Sequence, residues 1–324
     1  MKALVTGATG FIGFNLCREL SRRDFAVTAL VLPGEDVTHI EDNVVRILYG
    51  DLTDPPSLEG ISEDVDIVFH LAAKVTDWGP PKAFYATILD GTRNLLEECS
   101  GKVSRFLYVS SMAACGLGRH LNGLTEEAVA MKSGVPYNDA KLDAERLVKS
   151  YQGKVSTRFA IVRPANVIGP GSVWVKDIIA RYRGLFVPLI DAGKHSASLI
   201  YIDNLVDGII RAGTADTAEG KTYFLRDDWS VTWKQYVTDL GSIVGKKPFG
   251  SIPFKAAWTM GSILEKILTP LHIRPPVTRL AAGVMGRDND VDTSLAQKEL
   301  GWKTNVSYEE AMEKIRQWVL ETMV

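Results

Sequence analysis

Ala3-Leu4-Val5-Thr6-Gly7-Ala8-Thr9-Gly10-Phe11-Ile12-Gly13 is a short apolar run followed by glycines at 7, 10 and 13 and then an amphipathic stretch. The run Ala3–Thr6 predicts a buried strand, and the periodicity of Phe11–Arg22 predicts a helix. In a strand–turn–helix of this kind the three glycines have separate tasks. Gly7 permits the tight turn, Gly10 lets backbone N–H groups approach a pyrophosphate, and Gly13 lets the helix lie close to the sheet. The helix N-terminus adds its partial positive charge. Gly7, Thr9, Gly10, Phe11, Ile12 and Gly13 are therefore candidate dinucleotide-binding residues. The plainer alternative is a glycine-rich turn with no ligand. The position directly after a strand, within a βαβ pattern, favours binding.

Working outward, the same alternation continues. Ala26–Val31, Val44–Tyr49, Asp66–His70, Phe106–Ser110 and Phe159–Val162 predict further strands. Helical patterns around Thr87–Cys99 and Tyr137–Tyr151 separate several of them. Strand–helix–strand alternation requires parallel crossovers, so the fold class is α/β, a Rossmann-type doubly wound parallel sheet. After Arg163-Pro164 the alternation fades and Pro and Gly become frequent. A smaller C-terminal α/β substrate domain is placed at 168–324, after a dinucleotide-binding domain at 1–167. The segment near 199–215 is expected to return to the first, and Tyr308–Met323 to form the last helix.

The chain has 324 residues, enough for about two domains at ~150 residues each. A net charge of -2 leaves no basic footprint for nucleic acid. Cys17, Cys99 and Cys115 form no CxxC pair, which argues for a reducing compartment and against a disulfide scaffold. They have no neighbouring ligands at zinc spacing. His39, His120, His195 and His272 are isolated along the chain, so no metal site is expected. The N-terminal apolar run is too short for a signal peptide, and no stretch of 18 apolar residues is present, so no transmembrane segment is expected. The expected compartment is cytoplasmic and the expected partner a small-molecule substrate, with a homodimer left open.

A dinucleotide site normally has an acidic residue about 20 residues beyond the glycines, at the end of the second strand, to hold the ribose. Here that place is Val31-Leu32-Pro33, and Glu35 and Asp36 come slightly late. No Arg or Lys lies in 31–36 to receive a 2′-phosphate. The cofactor is read as NAD or NADP, with NAD favoured. Asp51 and Leu52 follow the third strand, where an adenine amino group would lie. Asp51 reads equally as a helix N-cap.

Tyr137 and Lys141 stand four apart, on one face of a predicted helix. A phenol titrates near 10 and a nearby ammonium lowers that value. A serine hydroxyl from Ser110-Ser111, at the end of the fifth strand, can hold a substrate oxygen while the phenol moves its proton. Both places fall at the carboxyl edge of a parallel sheet. The bland readings are a helix-start aromatic and a polar strand end.

As a set, TGATGFIG (6–13), FHLAA (69–73), GTRNLL (91–96), YVSS (108–111), YNDAK (137–141), RPANVIGPG (163–171), LIYIDNLVDG (199–208) and ELGW (299–302) resemble the extended short-chain dehydrogenase/reductase superfamily. The resemblance implies Ser111, Tyr137 and Lys141 as the catalytic set, with Ser111 chosen by its spacing from Gly116. It implies that Leu71, Ala72 and Ala73 line the cofactor, that Pro164, Ala165 and Val167 lie near the nicotinamide, and that Lys141 also holds its ribose. Nucleotide-sugar members usually carry an arginine that clamps the substrate diphosphate, and here that position is Ala197. Loss of a bidentate clamp counts against such a substrate. Asn166 and Arg287 remain candidate phosphate partners. Ile88 stands where an Asn is common.

VTDWGPPKAFY (75–85) and IRPPVTRLAAG (273–283) resemble instead the 3β-hydroxysteroid dehydrogenase branch and related β-hydroxy or β-keto lipid reductases. The implied activity is hydride transfer between a hydroxyl and a carbonyl on a mainly apolar substrate. The alternatives are a nucleotide-sugar epimerase and a non-catalytic dinucleotide sensor. Trp78 and Trp174 are candidates for an apolar pocket, or ordinary core. His70 reads as structural, Cys115 as a packing residue, and Asp203-Asn204 as caps of a helix beginning near Leu205. In Ala256–Leu268, Trp258, Ile263, Leu264, Ile267 and Leu268 share a helical face, which reads as core, as a pocket lid or as a membrane-resting surface.

Overall fold

In the computed structural model, which describes residues 1–184 and 187–324, the chain opens with β1 (Lys2–Thr6), α1 (Phe11–Arg22), β2 (Ala26–Val31), β3 (Arg46–Tyr49) and β4 (Ile67–His70). It continues through α2 (Pro81–Tyr85), a π-helical turn at Ala86–Asp90, α3 (Gly91–Cys99), β5 (Arg105–Val109), β6 (Leu121–Leu124), α4 (Pro136–Tyr151) and β7 (Arg158–Pro164). Then come β8 (Asn166–Ile168), α5 (Val173–Arg183), β9 (Leu189–Ile190), β10 (Leu199–Tyr201), α6 (Ile202–Thr214) and β11 (Thr222–Leu225). The remainder is α7 (Trp233–Ile243), β12 (Ser251–Ile252), α8 (Phe254–Leu268), α9 (Arg279–Met285), β13 (Asn289–Val291), α10 (Ser294–Leu300) and α11 (Tyr308–Thr322).

Seven strands form one sheet in the order β11-β7-β5-β4-β1-β2-β3, with every pairing parallel. This is a Rossmann-type doubly wound sheet. The order reverses between β1 and β4, and the crevice at the carboxyl ends of those strands is where such sheets bind ligands. The central strands are apolar runs because both faces are covered: β4 is buried along its whole length. On one face, α1 presents Gly13, Leu16, Cys17 and Leu20 to a core that includes Val27, Phe69 and Ile209 of α6. On the other, Leu95, Leu96 and Cys99 of α3 and Ala140, Ala144 and Val148 of α4 pack with Phe106 and Phe159.

The last sheet strand, β11, is absent from the sequence expectation. Its four residues are all buried, and they pair with Ile161–Pro164 of β7. Beyond the sheet, short parallel pairs β10·β8, β12·β9 and β13·β6 tie the later segments to the rest of the chain. Trp233 is buried among them: its ring lies 5.0 Å from Trp174 and its Nε1 donates to the Val284 carbonyl at 3.1 Å.

Two sequence expectations are corrected. The helix α6 begins at Ile202, so Asp203 and Asn204 lie inside its first turn and do not cap it. Asn204 is instead a buried clamp: its Nδ2 donates to Asp227 Oδ1, and its Oδ1 accepts from the N–H groups of Asn305 and Val306. In α8 the buried residues are Phe254, Ala257 and Gly261, while Ile263 and Ile267 are 52% and 56% exposed. A uniform core face through Ile263 and Ile267 is therefore ruled out. No helix among the described residues is long and apolar enough to cross a membrane.

Candidate active site

The glycine loop has the shape a pyrophosphate needs. Gly7 adopts φ +69°, and a Cβ there would sit 3.0 Å from the backbone of Ala72. At Gly13 a Cβ would fall 2.0 Å from the Gly7 carbonyl oxygen, so α1 reaches this close to the loop only with glycine. Gly10 is the N-cap of α1; no side chain hydrogen-bonds the cap and no acid stands in the first turn. The first-turn N–H groups are thus open to an anion. The residues present fit a dinucleotide.

A hydrogen-bond chain fixes the floor of this cradle. Thr6 Oγ1 accepts from the N–H groups of Leu71 (3.2 Å) and Ala72 (3.1 Å) and pairs with His70 Nδ1 at 2.8 Å. His70 Nε2 pairs with Thr92 Oγ1 at 2.9 Å, and Thr92 donates to the Ile88 carbonyl at 2.5 Å. One proton assignment satisfies every link: Thr6 donates to Nδ1, and Nε2–H donates to Thr92. Burial pushes His70 down to about 3, with the Lys141 charge adding to the shift, so the ring is neutral and structural. The π-helical turn carrying Ile88 is a local departure of the kind often found at functional sites.

Glu35 stands beyond the usual ribose position in sequence, yet the chain folds it back. Its Oε2 accepts from Thr9 Oγ1 at 2.8 Å and from the Leu32 N–H at 3.3 Å, which places the carboxylate against the glycine loop. Asp51 does not cap a helix. Its Oδ1 closes a turn over the N–H and hydroxyl of Thr53, both at 2.8 Å. Leu52 is buried under α3, where its carbonyl accepts from Asn94. Ala73 is partly buried against the same core layer.

Ser111, Tyr137 and Lys141 converge at the carboxyl end of β5. Ser111 follows β5 and caps the turn Met112–Cys115 by accepting from the Ala113 N–H. Burial pushes the Tyr137 phenol up to about 12, and a hydrogen bond with Ser111 works against that rise. Lys141 Nζ is buried, donates to the Val109 carbonyl at 2.8 Å and lies 4.8 Å from the centre of the Tyr108 ring. Burial brings its ammonium down to about 7, opposed by the charge of Glu145. The expectation that Lys141 lowers the phenol is thus corrected. The ammonium is turned to Val109, and desolvation dominates Tyr137.

The residues between and beneath the pair, unremarked in the sequence reading, set its geometry. Asn138 Nδ2 donates to the Ala113 carbonyl at 2.9 Å, tying α4 to the turn that carries Ser111. The Asp139 carboxylate accepts from the N–H groups of Ser133 (2.7 Å) and Gly134 (3.0 Å), which fixes where α4 starts. One turn beyond Lys141, Glu145 takes Arg163 in a bidentate pair at 2.9 and 2.6 Å, both side chains buried. Glu145 sits at i, i+4 from Lys141, a spacing that could have drawn attention to it.

Pro164 ends β7, and Ala165 and Val167, the latter in β8, follow it; the Ala165 N–H donates to the Leu225 carbonyl at 2.9 Å. The candidate substrate residues are placed less simply. Asn166 is buried and its Nδ2 donates to the Ala197 carbonyl at 2.7 Å. The Arg287 guanidinium stacks on the Phe254 ring at 3.3 Å and lies 3.5 Å from Asp191. Trp174 packs on Trp233. Trp78 is partly buried and its carbonyl accepts from Thr76. Phe84 meets the Tyr137 ring edge-on at 6.5 Å. Cys115 is buried, which raises its thiol to about 11 and leaves it unreactive. His120 and His195, isolated along the chain, are neighbours in space: their ring centres lie 5.2 Å apart.

The sequence profile of the NAD dependent epimerase/dehydratase family matches residues 3–225. The chain belongs to that family. It is an enzyme of the extended short-chain dehydrogenase/reductase type, and the family is one described as NAD dependent. Across 98% of its length it is 28% identical to a 4-hydroxy-2-methyl-3-oxo-4-farnesyl-3,4-dihydroquinoline-1-oxide ketoreductase of Stigmatella aurantiaca, covering 96% of that protein. It is 26% identical to a 2-alkyl-3-oxoalkanoate reductase of Shewanella oneidensis over 97% of this chain and 85% of the relative. A decarboxylating sterol-4-alpha-carboxylate 3-dehydrogenase of Mus musculus is 25% identical, over 97% of this chain and 89% of that one. Among solved structures, the UDP-glucose 4-epimerase of Thermotoga maritima superposes with a TM-score of 0.80 at 22% identity, covering 100% of both chains. At that identity the epimerase shares the fold.

Proposed function

We propose that this family member reduces a ketone on a mainly apolar, lipid-like substrate, with NADH preferred over NADPH and Tyr137 as proton donor. The observation that carries the reading is the convergence of Ser111, Tyr137 and Lys141 at the carboxyl end of β5, with the Tyr137 phenol beside Ser111 and edged by Phe84. When bound, the dinucleotide supplies the hydride to the carbonyl carbon. The protein's own groups do the rest. Ser111 and Tyr137 offer two hydroxyls to one substrate oxygen, and Tyr137 gives its proton as that oxygen becomes an alkoxide. Reduction must begin from the neutral phenol, and burial keeps it neutral. Lys141 holds its amino group next to the site by donating to the Val109 carbonyl.

Glu35 supports the cofactor preference. A 2′-phosphate beside the glycine loop would meet a carboxylate already tied to Thr9, an arrangement that repels it. The farnesyl, alkyl and sterol groups in the names of three relatives support an apolar substrate. Ala197, buried where nucleotide-sugar members hold an arginine, supports the same class.

The test is direct. The protein is offered NADH or NADPH with a 2-alkyl-3-oxoalkanoate, a 3-keto sterol and UDP-glucose. Faster oxidation of NADH than NADPH by a ketone is expected. Interconversion of the nucleotide sugar without net cofactor change would replace this reading with an epimerase. Tight dinucleotide binding with no turnover of any substrate would make the protein a sensor.

A further inference from the structure

We infer that His120, His195 and Asp288 form a binding site for one divalent transition-metal ion of the zinc class. The three come from distant segments: the loop before β6, the loop between β9 and β10, and the residue before β13. His120 Nδ1 lies 2.9 Å from Asp288 Oδ2, and His195 Nδ1 lies 3.1 Å from Asp288 Oδ1. One ligand atom from each residue falls within 4.8 Å of the others. Zinc–ligand bonds of about 2.0–2.2 Å in a tetrahedron put neighbouring ligands roughly 3.3–3.6 Å apart. For an ion to sit between them, the two His–Asp distances would open by a few tenths of an ångström and the widest separation, up to 4.8 Å, would close by about 1 Å. Two imidazoles and a carboxylate, with a fourth position for water, suit zinc, cobalt or nickel better than calcium or magnesium, which take all-oxygen shells.

A second observation stands behind the donor set. Metal-binding imidazoles direct their other nitrogen at a carboxylate that fixes the ring. His195 is 5% exposed, its Nε2 makes no hydrogen bond, and it faces Asp191 Oδ2 at 3.5 Å. Asp191 is itself held, its Oδ1 accepting from the Phe254 N–H at 2.7 Å and its Oδ2 lying 3.5 Å from Arg287. The Asp288 N–H also approaches His120 Nδ1, at 3.3 Å. An ion would take that lone pair and leave the amide to water, which the 46% exposed His120 side chain admits.

The site would join these distant segments. His120 adjoins β6, which pairs with β13 next to Asp288. Asp191 anchors the first residue of α8, and α8 lays Trp258 against Gly118, two residues before His120. A bound ion would hold this seam shut beside the loop that leaves Ser111.

Untagged full-length protein, stripped with a chelator, is titrated with Co(II) and Zn(II) by calorimetry and visible absorption. The expected result is one equivalent of Co(II) with the intense visible bands of a four-coordinate site, displaced by Zn(II), and a higher melting temperature with metal. His120→Ala is exposed enough to fold, and it should lose the bands and weaken binding by ~10-fold or more. Asp191→Asn, acting through His195, should weaken it by about 10–100-fold. A cluster that is hydrogen-bonded only would bind no stoichiometric metal and melt at the same temperature with and without it. That result, or binding undiminished in His120→Ala, overturns the inference.

Discussion

Glu145→Gln tests how the site's floor is built. The pair Glu145–Arg163 is bidentate at 2.9 and 2.6 Å, with side-chain exposures of 2% and 3%. Gln keeps the volume and one acceptor oxygen but leaves the Arg163 charge without its counterion. Arg163 already has one buried nitrogen, Nη1, without a partner. Burial works against this guanidinium, and the bonds and charge of Glu145 outweigh it and hold its titration above the ordinary value. Breaking such a pair from one side costs about 3–5 kcal/mol. The retained amide oxygen argues for the lower end, about 3 kcal/mol, or a melting-temperature loss of roughly 6 °C at about 2 °C per kcal/mol. Replacing both partners with apolar residues, Glu145→Leu with Arg163→Met, should recover most of that loss. Glu145 also raises the Lys141 ammonium, so in the single variant Lys141 should titrate below about 7. Denaturant unfolding of the two single variants and the double, with the pH profile of kcat/KM, reads both effects. A loss under about 1 kcal/mol in Glu145→Gln, or a double variant less stable than either single, would refute the reasoning.

Other expectations follow from the same geometry. Gly10→Ala should fold normally, because its Cβ would meet only the Gly7 carbonyl at 3.2 Å, yet lose dinucleotide affinity; Gly13→Ala should lose stability, its Cβ falling 2.0 Å from that oxygen. Calorimetry with NAD and thermal melts separate the two. Tyr137→Phe should keep cofactor affinity and lose about 10²-fold or more in turnover, measured with whichever ketone proves active. Lys141 titrates at about 7 when folded, against 10.5 for a free lysine, so the native state binds fewer protons than the unfolded one between those values. Stability should therefore rise with pH across that window and flatten in Lys141→Met, as denaturation at several pH values would show. Trp258→Ser should destabilise, since Trp258 packs on Phe254 with ring centres 5.6 Å apart, while Ile263→Ser, at 52% exposure, should leave the melting temperature within about 1–2 °C. A raised KM for an apolar ketone in Ile263→Ser alone would make that face of α8 part of a lid.

What the sequence by itself determined is what local rules govern. α1 and β2 fall at the residues expected from periodicity, because each buries one continuous apolar pattern and ends at Gly or a polar turn. The glycine loop was legible because close approach and a positive φ have no substitute but glycine. Tyr137 and Lys141 were legible because four residues make one helical turn. Tertiary structure decided everything that depends on chain segments meeting. β11 joins the sheet only because α6 returns across α1, and its four residues carry no pattern that distinguishes a strand from a buried loop. Asn138, Asp139 and Glu145 look like the polar face of a helix until Ala113, Gly134 and Arg163 are seen against them. Glu35 is late in sequence, yet the turn after β2 brings its carboxylate to Thr9. The protonation of the site was likewise beyond sequence: a lysine four residues from a tyrosine says nothing of whether water reaches either, and here burial is the largest influence on both. His120, His195 and Asp288 lie far apart along the chain, and only tertiary packing sets one carboxylate against two imidazoles.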